Sequence, residues 1–347
     1  MKATTRKITK RSFKASLEHR HQVYVLKGAI SLRQGIFPSE VEITSINDIP
    51  SHQILPGMPE IPYTYTFQRP LILPARPVAA SFTRKMDGTA ILFSALQLPD
   101  GEVAVFPRTR GMVTIQDTPW RPFRSLINQV VNQELSAAIT TICIQQKATL
   151  VFELWGNQNQ HTVQYNQPLH LSLHTMIKGR MAVQPWRLLK QVAAAHKIPT
   201  VEELLRVKQG LSETELIRLG EELVSQQEQE NHPELGLYRQ EGVVLNVETP
   251  GTGLQWKFKP PSMEDYHRIA RSKICAITVF HSLWELVDRG EEVSLPSLQQ
   301  SLLKEYGQEA VGEQESLIES QYWLWLSKYY QIVIVLPPHS NSTSASL

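Results

Sequence analysis

The sequence predicts an α+β protein built on antiparallel sheets, with a helical insertion and a mostly helical C-terminal part. Two sets of alternating apolar and polar runs flank turn sequences, as hairpins do. Residues 89–95 and 102–106 lie about Leu98-Pro99-Asp100-Gly101, and residues 241–247 and 254–258 lie about Pro250-Gly251-Thr252-Gly253. Between these hairpins, residues 186–230 change to helical spacing, and helical spacing returns after Pro260-Pro261.

Taken in order, the chain opens with Lys2, Arg6, Lys7, Lys10, Arg11, Lys14 and Arg20 against Glu18 alone, which reads first as a solvated basic arm, with a nucleic-acid arm and then an organelle transit peptide as the alternatives. Residues 21–45 alternate with β-branched enrichment, as in Val23-Tyr24-Val25-Leu26 and Val41-Glu42-Ile43-Thr44, and predict short strands. Pro50, Pro56, Pro59, Pro62, Pro70, Pro74 and Pro77 then exclude a helix and predict an extended linker. After the first hairpin, residues 150–155 predict another strand. Helix starts are expected where Thr200 precedes Glu203 and Ser212 precedes Glu215, because a hydroxyl and a carboxylate three residues apart can cap each other's backbone N–H. Beyond the second hairpin, Ser262 and Asp265 predict a helix start, Tyr266, Ile269, Ile277, Phe280, Trp284 and Val287 follow at helical intervals, and Gly290 suits a stop. Residues 297–306 and 317–329 are further helix candidates. An apolar run at 332–336 precedes a Ser/Asn/Thr tail that is expected to be disordered. The resulting division is a basic arm with a small β-rich region at 1–75, a central domain at 76–260, a helical domain at 261–336 and a tail at 337–347.

Composition narrows the function. With 347 residues, 20% charged and 41% hydrophobic, the chain is neither disordered nor fibrous. The net charge of +2 announces no global field for nucleic acid, but its distribution is uneven. Residues 261–347 carry six basic and eleven acidic side chains, net −5, which leaves +7 for residues 1–260. Cys143 and Cys275 cannot build a disulfide framework or a structural zinc site, which fits a reducing compartment. No run approaches the roughly 18 apolar residues of a membrane span, and the opening lacks a signal-peptide core, so a cytoplasmic location is expected.

The chemistry lies in five short segments: Lys85-Met86-Asp87-Gly88, Arg108-Thr109-Arg110-Gly111, Phe152-Glu153-Leu154-Trp155-Gly156, Glu241-Gly242-Val243-Val244 and Trp256-Lys257-Phe258-Lys259. A lysine before Asp-Gly at a strand-to-turn junction is held by backbone, and the glycine admits a ligand closely, which suits a nucleophile. Such a lysine attacks as the neutral amine, a form that nearby cations favour, so Lys257 or Lys259, with a divalent metal, is the expected activator of Lys85. Strand alternation puts Lys257 and Lys259 on one face and Trp256 and Phe258 on the other, a two-cation strip on an apolar backing. It likewise groups Val151, Glu153 and Trp155, and separately Glu241, Val243 and Leu245. One or two carboxylates with substrate phosphates is the usual way Mg²⁺ is held. His170 and His174 stand four apart, but strand-like alternation and the lack of an acidic neighbour in sequence favour solvated or core histidines over metal ligands.

In this order the segments resemble motifs I, Ia, III, IV and V of the covalent nucleotidyltransferases, the superfamily of ATP-dependent DNA ligases, RNA ligases and mRNA-capping guanylyltransferases. Within it, the chain resembles the phage-type ATP-dependent RNA ligases. Phe-Glu-Leu-Trp-Gly has the form of their motif III, and residues 260–347 read as helical, without the Arg-x-Asp-Lys motif and β-rich domain of DNA ligases. The similarity spans about residues 79–260. The intervals are 68 residues from Lys85 to Glu153, 88 from Glu153 to Glu241 and 16 from Glu241 to Lys257; the longest holds the helical insertion.

The resemblance implies an antiparallel-sheet nucleotidyltransferase core of the ATP-grasp-like ligase type. It implies an RNA ligase that uses ATP and Mg²⁺ (or Mn²⁺), forms a lysyl-AMP intermediate, adenylylates a 5′-phosphate end and joins it to a 3′-hydroxyl. Lys85 would be the nucleophile, with Lys257 and Lys259 catalytic. Asp87, Gly88, Arg110, Glu153, Glu241, Lys257 and Lys259 would bind the nucleotide, and Glu241 and Glu153 the metal. Arg110 is preferred to Arg108 because it directly precedes Gly111, and Trp155 and Phe152 are candidates for stacking the adenine. RNA ends are the expected partner, with no membrane and no obligate protein partner. DNA ligase and guanylyltransferase are the enzymatic alternatives. A silent nucleic-acid-binding homologue is an alternative of another class, disfavoured by the intact Lys85, Glu153, Glu241, Lys257 and Lys259. The arm and the helical domain are the expected substrate contacts.

Overall fold

The computed structural model describes residues 10–31, 39–64, 71–74, 77–117, 122–159, 161–208, 212–233, 237–272 and 274–330. The chain divides into two compact units, Met1–Asp265 with Asp288–Gly290 and Tyr266–Val287 with Glu291–Leu347.

The first unit begins with an antiparallel meander of β1 (Lys10–His19), β2 (Gln22–Ser31), β3 (Val41–Ile46) and β4 (Ile49–Leu55). Arg20 and His21, and again Asn47 and Asp48, have positive φ, the left-handed pair that a two-residue hairpin turn needs. Lys10–His19 is therefore a strand and not a solvated arm. Its basic residues obscure a period of two, in which Phe13, Ala15 and Leu17 face the core while Lys10, Ser12, Lys14 and Ser16 face water. Lys2, Arg6 and Lys7 lie outside the described residues, as do the apolar run at 332–336 and the tail.

β5 (Ala79–Arg84) then leads into the hairpin of β6 (Thr89–Gln97) and β7 (Val103–Thr109). Helices α1 (Phe123–Val130) and α2 (Gln133–Gln145) follow where the sequence reading assigned no element; the Asn132 side chain caps α2 by accepting from Leu135 N–H. Next come β8 (Ala148–Trp155), β9 (His170–Lys178), β10 (Ala182–Val183), α3 (Trp186–Ala195), β11 (Glu203–Val207), α4 (Glu213–Glu228), β12 (Val243–Glu248) and β13 (Gly253–Phe258). They form two antiparallel sheets, one ordered β10-β9-β8-β6-β7 and the other β11-β5-β12-β13.

The helix start expected at Thr200 is absent. Glu203 opens β11 and accepts from Trp186 Nε1 at 3.0 Å and Lys190 Nζ at 2.7 Å, so its carboxylate serves α3 instead of a cap. The stretch read as one helical insertion thus holds two helices and an edge strand paired with β5. At Ser212 the cap is present, accepting from Glu215 N–H at 3.2 Å.

The second unit is helical. α5 (Pro261–Ser272) leads into it, and α6 (Ala276–Asp288), α7 (Leu295–Glu313) and α8 (Glu315–Tyr330) follow. Leu283, Trp284, Leu298, Leu302, Ile318 and Trp325 are buried, and the Trp284 and Trp325 rings meet edge to face at 5.0 Å. Gly290 follows α6 in the left-handed conformation. The molecule is a mixed α+β protein with antiparallel sheets, and no helix among the described residues is long and apolar enough to cross a membrane.

α4 fixes the backing of β13. Leu216 and Val224 pack with Phe82, Val243, Leu245, Trp256 and Phe258, which leaves the opposite face of β13 to its lysines. Gly220 makes this close approach workable, since a Cβ there would stand 2.5 Å from Phe258 Cζ. Gly220→Ala should destabilise the protein by about 1–3 kcal/mol, because the buried Phe258 ring has Phe82 behind it and the overlap outweighs alanine's better helix propensity. Thermal unfolding of the variant against the wild type measures this.

Candidate functional site

Three neighbouring strands end together and bring the site's charges to one point. Val243 pairs with Arg84 on one side and Phe258 on the other, so Lys85 after β5, Glu241 before β12 and Lys259 after β13 converge. Lys85 N–H donates to Gly242 C=O at 2.9 Å. Gly242 has φ +138°, and a Cβ there would lie 2.1 Å from the Phe258 carbonyl oxygen, so only glycine fits. The consequence is a shared carboxylate: Lys85 Nζ donates to Glu241 Oε2 at 2.5 Å and Lys259 Nζ to Oε1 at 2.8 Å. Glu241 is 5% exposed.

Asp87 is held by the loop between β8 and β9. Its Oδ2 accepts from Thr162 and Val163 N–H, both at 2.7 Å, while its own N–H donates to Tyr165 Oη at 2.8 Å. Gly88 lies so close to β8 that a Cβ would stand 2.1 Å from the Leu154 carbonyl oxygen. Glu153, on β8, acts electrostatically on Lys85 and stands 3.6 Å from Nε2 of His174 on β9.

Burial and charge act on the nucleophile in opposite directions. Burial lowers the pKa of Lys85, but Glu241 and Glu153 outweigh it and hold the amine above its ordinary value. The neighbouring carboxylates are the groups that raise it. Burial likewise opposes ionisation of Glu241, and Lys259 and Lys85 overcome it, leaving the carboxyl well below its usual range. Asp87 rises to about 6 through burial and then the charge of Glu241. Lys259 falls, with burial the largest cause. Lys257 falls to about 7, from burial and then from Lys85 and Lys259. Its ammonium sits over the Tyr63 ring, 4.3 Å from the centroid.

His174 was not legible as a site residue. Alternation made it a core or solvated histidine, but the pairing of β8 with β9 sets it beside Glu153. Burial, then Lys85 and Arg110, depress its pKa to about 3, so the ring is neutral at pH 7 and its contact with Glu153 is no ion pair. The acidic neighbour missing from its sequence surroundings arrives from another strand.

The two arginines separate. Arg108 is fully buried, donating to Ser39 C=O at 2.8 Å and to Pro56 C=O, and burial lowers its guanidinium to about 9. Arg110 is exposed, and its charge reaches His174. The stacking candidates separate too. Phe152 is fully buried, edge to face with Phe93 at 5.5 Å, and cannot receive a ligand. Trp155 is half-buried, donates to Ser172 Oγ, and stacks on His170 at 4.7 Å.

Among the described residues no group of three or more His, Cys, Asp or Glu forms a ready metal cage. Both oxygens of Glu241 already accept from lysines. This donor set fits a hard cation held by one or two carboxylates and completed by substrate phosphates, and does not fit an all-protein site.

No protein-family model matches the chain, and no curated protein matches it in sequence. Solved structures similar to it include an archaeal ATP-dependent RNA ligase, 14% identical, with a TM-score of 0.47 over 92% of this chain and 75% of that one. A protein from Aquifex aeolicus assigned as an ATP-dependent DNA ligase is 13% identical, with a TM-score of 0.43 over 92% of this chain and 75% of its own. A variant of the Naegleria gruberi RNA ligase with ATP and Mn is 11% identical, with a TM-score of 0.38 over 56% of this chain and 52% of its own.

Glu241 carries the charge balance of the cluster, and its stability contribution has a defined sign. Its folded pKa lies below the ordinary 4.5, so the contribution is present above about pH 4.5 and is lost as pH falls through the folded value. Glu241→Gln should cost about 3–5 kcal/mol at pH 7, because Lys85 and Lys259 then face each other without their shared counter-charge. The gap from wild type should narrow at pH 3. Denaturant unfolding at the two pH values tests both statements.

Proposed function

We propose that this chain is an ATP-dependent polynucleotide ligase that joins 5′-phosphate and 3′-hydroxyl ends of RNA through a lysyl-AMP intermediate. The observation that carries this reading is one buried carboxylate, Glu241, bonded by both Lys85 and Lys259 at the end of a sheet. Lys257 lies on the face of β13 opposite Trp256 and Phe258, and Lys259 directly follows the strand. A lysine nucleophile and two further cations beside a strand end suit a triphosphate, and the ligase-like order of the five segments favours adenylyl transfer. The form of Phe152-Glu153-Leu154-Trp155-Gly156 and the helices beyond residue 260 favour RNA over DNA as substrate.

In this mechanism the Lys85 nitrogen forms a bond to the α-phosphorus of ATP while the bond to the pyrophosphate oxygen breaks in line. Lys259 and Lys257 hold the phosphate oxygens and spread the developing charge. Glu153 and Glu241 would hold Mg²⁺ or Mn²⁺ together with the phosphates, supplying positive charge where these carboxylates now keep Lys85 protonated. Lys85 must become neutral before it attacks, so its hydrogen bond to Glu241 Oε2 has to weaken in the reactive complex. Asp87, fastened to the Thr162 and Val163 amides, fixes the turn that presents Lys85. AMP then passes to the 5′-phosphate of an RNA end, and a 3′-hydroxyl displaces it to form the phosphodiester.

With Mg²⁺ and α-labelled ATP, the wild-type protein should retain label through denaturing electrophoresis, and Lys85→Ala should retain none. Lys259→Ala should slow labelling by about 10²–10³, the usual loss for a group that stabilises transferred charge. Labelling from GTP alone would assign the chain to capping chemistry. A folded, AMP-free protein that takes label from neither nucleotide would overturn the ligase reading. Among adenylylated ends, a site that reads the 2′-hydroxyl should seal an RNA 3′ end and reject an all-DNA one.

A further inference from the structure

The three lysines of the site are not equivalent. Lys85 and Lys259 share Glu241, whereas Lys257, half-buried on β13, has no carboxylate within ion-pair distance among the described residues. What it does have is the face of Tyr63, which belongs to the proline-bracketed segment 56–64 ahead of β5.

That segment is pinned along its length. Pro56 C=O accepts from buried Arg108, Met58 packs on Leu92, Val151 and Ile177 of the five-stranded sheet, and Pro62 C=O accepts from Lys257 N–H at 2.9 Å. Tyr63 and Lys257 form a parallel β-bridge. The ring is thus set against the ammonium by backbone register, and Pro59 and Pro62, both ahead of Tyr63, restrict the chain further. A partly desolvated ammonium without a counter-anion is costly, and a ring face offers it partial compensation while leaving its other side available to an anion. The depressed pKa of Lys257 agrees with that imbalance; Lys85, Lys259, Glu241 and Glu60 are the charged groups acting on it.

Resting on the nucleotide reading above, we infer that Tyr63 is a positioning residue of the phosphate site, its ring holding the Lys257 ammonium in place for the phosphate chain of the nucleotide. The segment read from sequence as a linker would then be part of the site.

Calorimetric titration of the AMP-free full-length protein with inorganic pyrophosphate tests this, with adenosine, which carries no phosphate, as the control ligand. Tyr63→Leu should weaken pyrophosphate binding about tenfold and change adenosine binding less than about twofold. Tyr63→Phe, which keeps the ring, should bind pyrophosphate as the wild type does. Unchanged pyrophosphate affinity in Tyr63→Leu, an equal loss for adenosine, or a Tyr63→Phe as weak as Tyr63→Leu would overturn the role. A wild type that takes label from ATP while Tyr63→Leu binds pyrophosphate normally would overturn this role and leave the ligase reading standing. A wild type that binds neither pyrophosphate nor ATP would overturn both.

Discussion

The rest of the site depends on the shared carboxylate of Glu241. Two ammonium groups and one carboxylate can be buried together because each lysine has its own oxygen, and removing the carboxylate would leave like charges facing each other. The arrangement needs backbone precision more than side-chain reach. It arises because β5, β12 and β13 pair in one register and because a glycine next to Glu241 admits the neighbouring carbonyl. α4 closes the apolar side of the same strands, so the alternation of β13 sends Trp256 and Phe258 into the core and both lysines toward Glu241.

The second sheet supplies what the first cannot. Glu153 comes from β8, the turn carrying Asp87 is tied to the Thr162 and Val163 amides and the Tyr165 hydroxyl, and Gly88 passes close to the Leu154 carbonyl. Lys85 therefore lies between carboxylates from both sheets, and their sum keeps it protonated against its own burial. His174 adds a neutral ring beside Glu153; its ionisation is suppressed first by burial and then by the charges of Lys85 and Arg110.

The N-terminal meander reaches this region through backbone contacts. Arg108 grips the Ser39 and Pro56 carbonyls, Arg11 donates to Gly111 C=O at 2.7 Å, and the Thr109 hydroxyl accepts from the Gly111 and Met112 amides. The turn bearing Arg110 is thereby held from both sides. Arg108 and Arg110 look interchangeable in Arg108-Thr109-Arg110-Gly111; Arg108 is buried within β7, whereas Arg110 lies past the strand's end at Thr109 and is exposed.

Much of this was legible in the chain itself, where a feature is local. Both hairpins, the Ser212 cap and the helices after Pro261 follow from alternation, turn chemistry and capping within a few residues. Lys85, Glu153, Glu241, Lys257 and Lys259 stood out because five short segments, each weak alone, follow one another in an order that resembles a known superfamily. What required the tertiary structure is whatever depends on neighbours distant in sequence. The strand fate of Glu203, the burial of Phe152, the place of His174 beside Glu153, the ring of Tyr63 over Lys257 and the sign of the Lys85 pKa shift are all of this kind. A one-dimensional pattern can say which side chains share a face of a strand. It cannot say what the paired strand brings to that face, and charge, burial and stacking are set by what it brings.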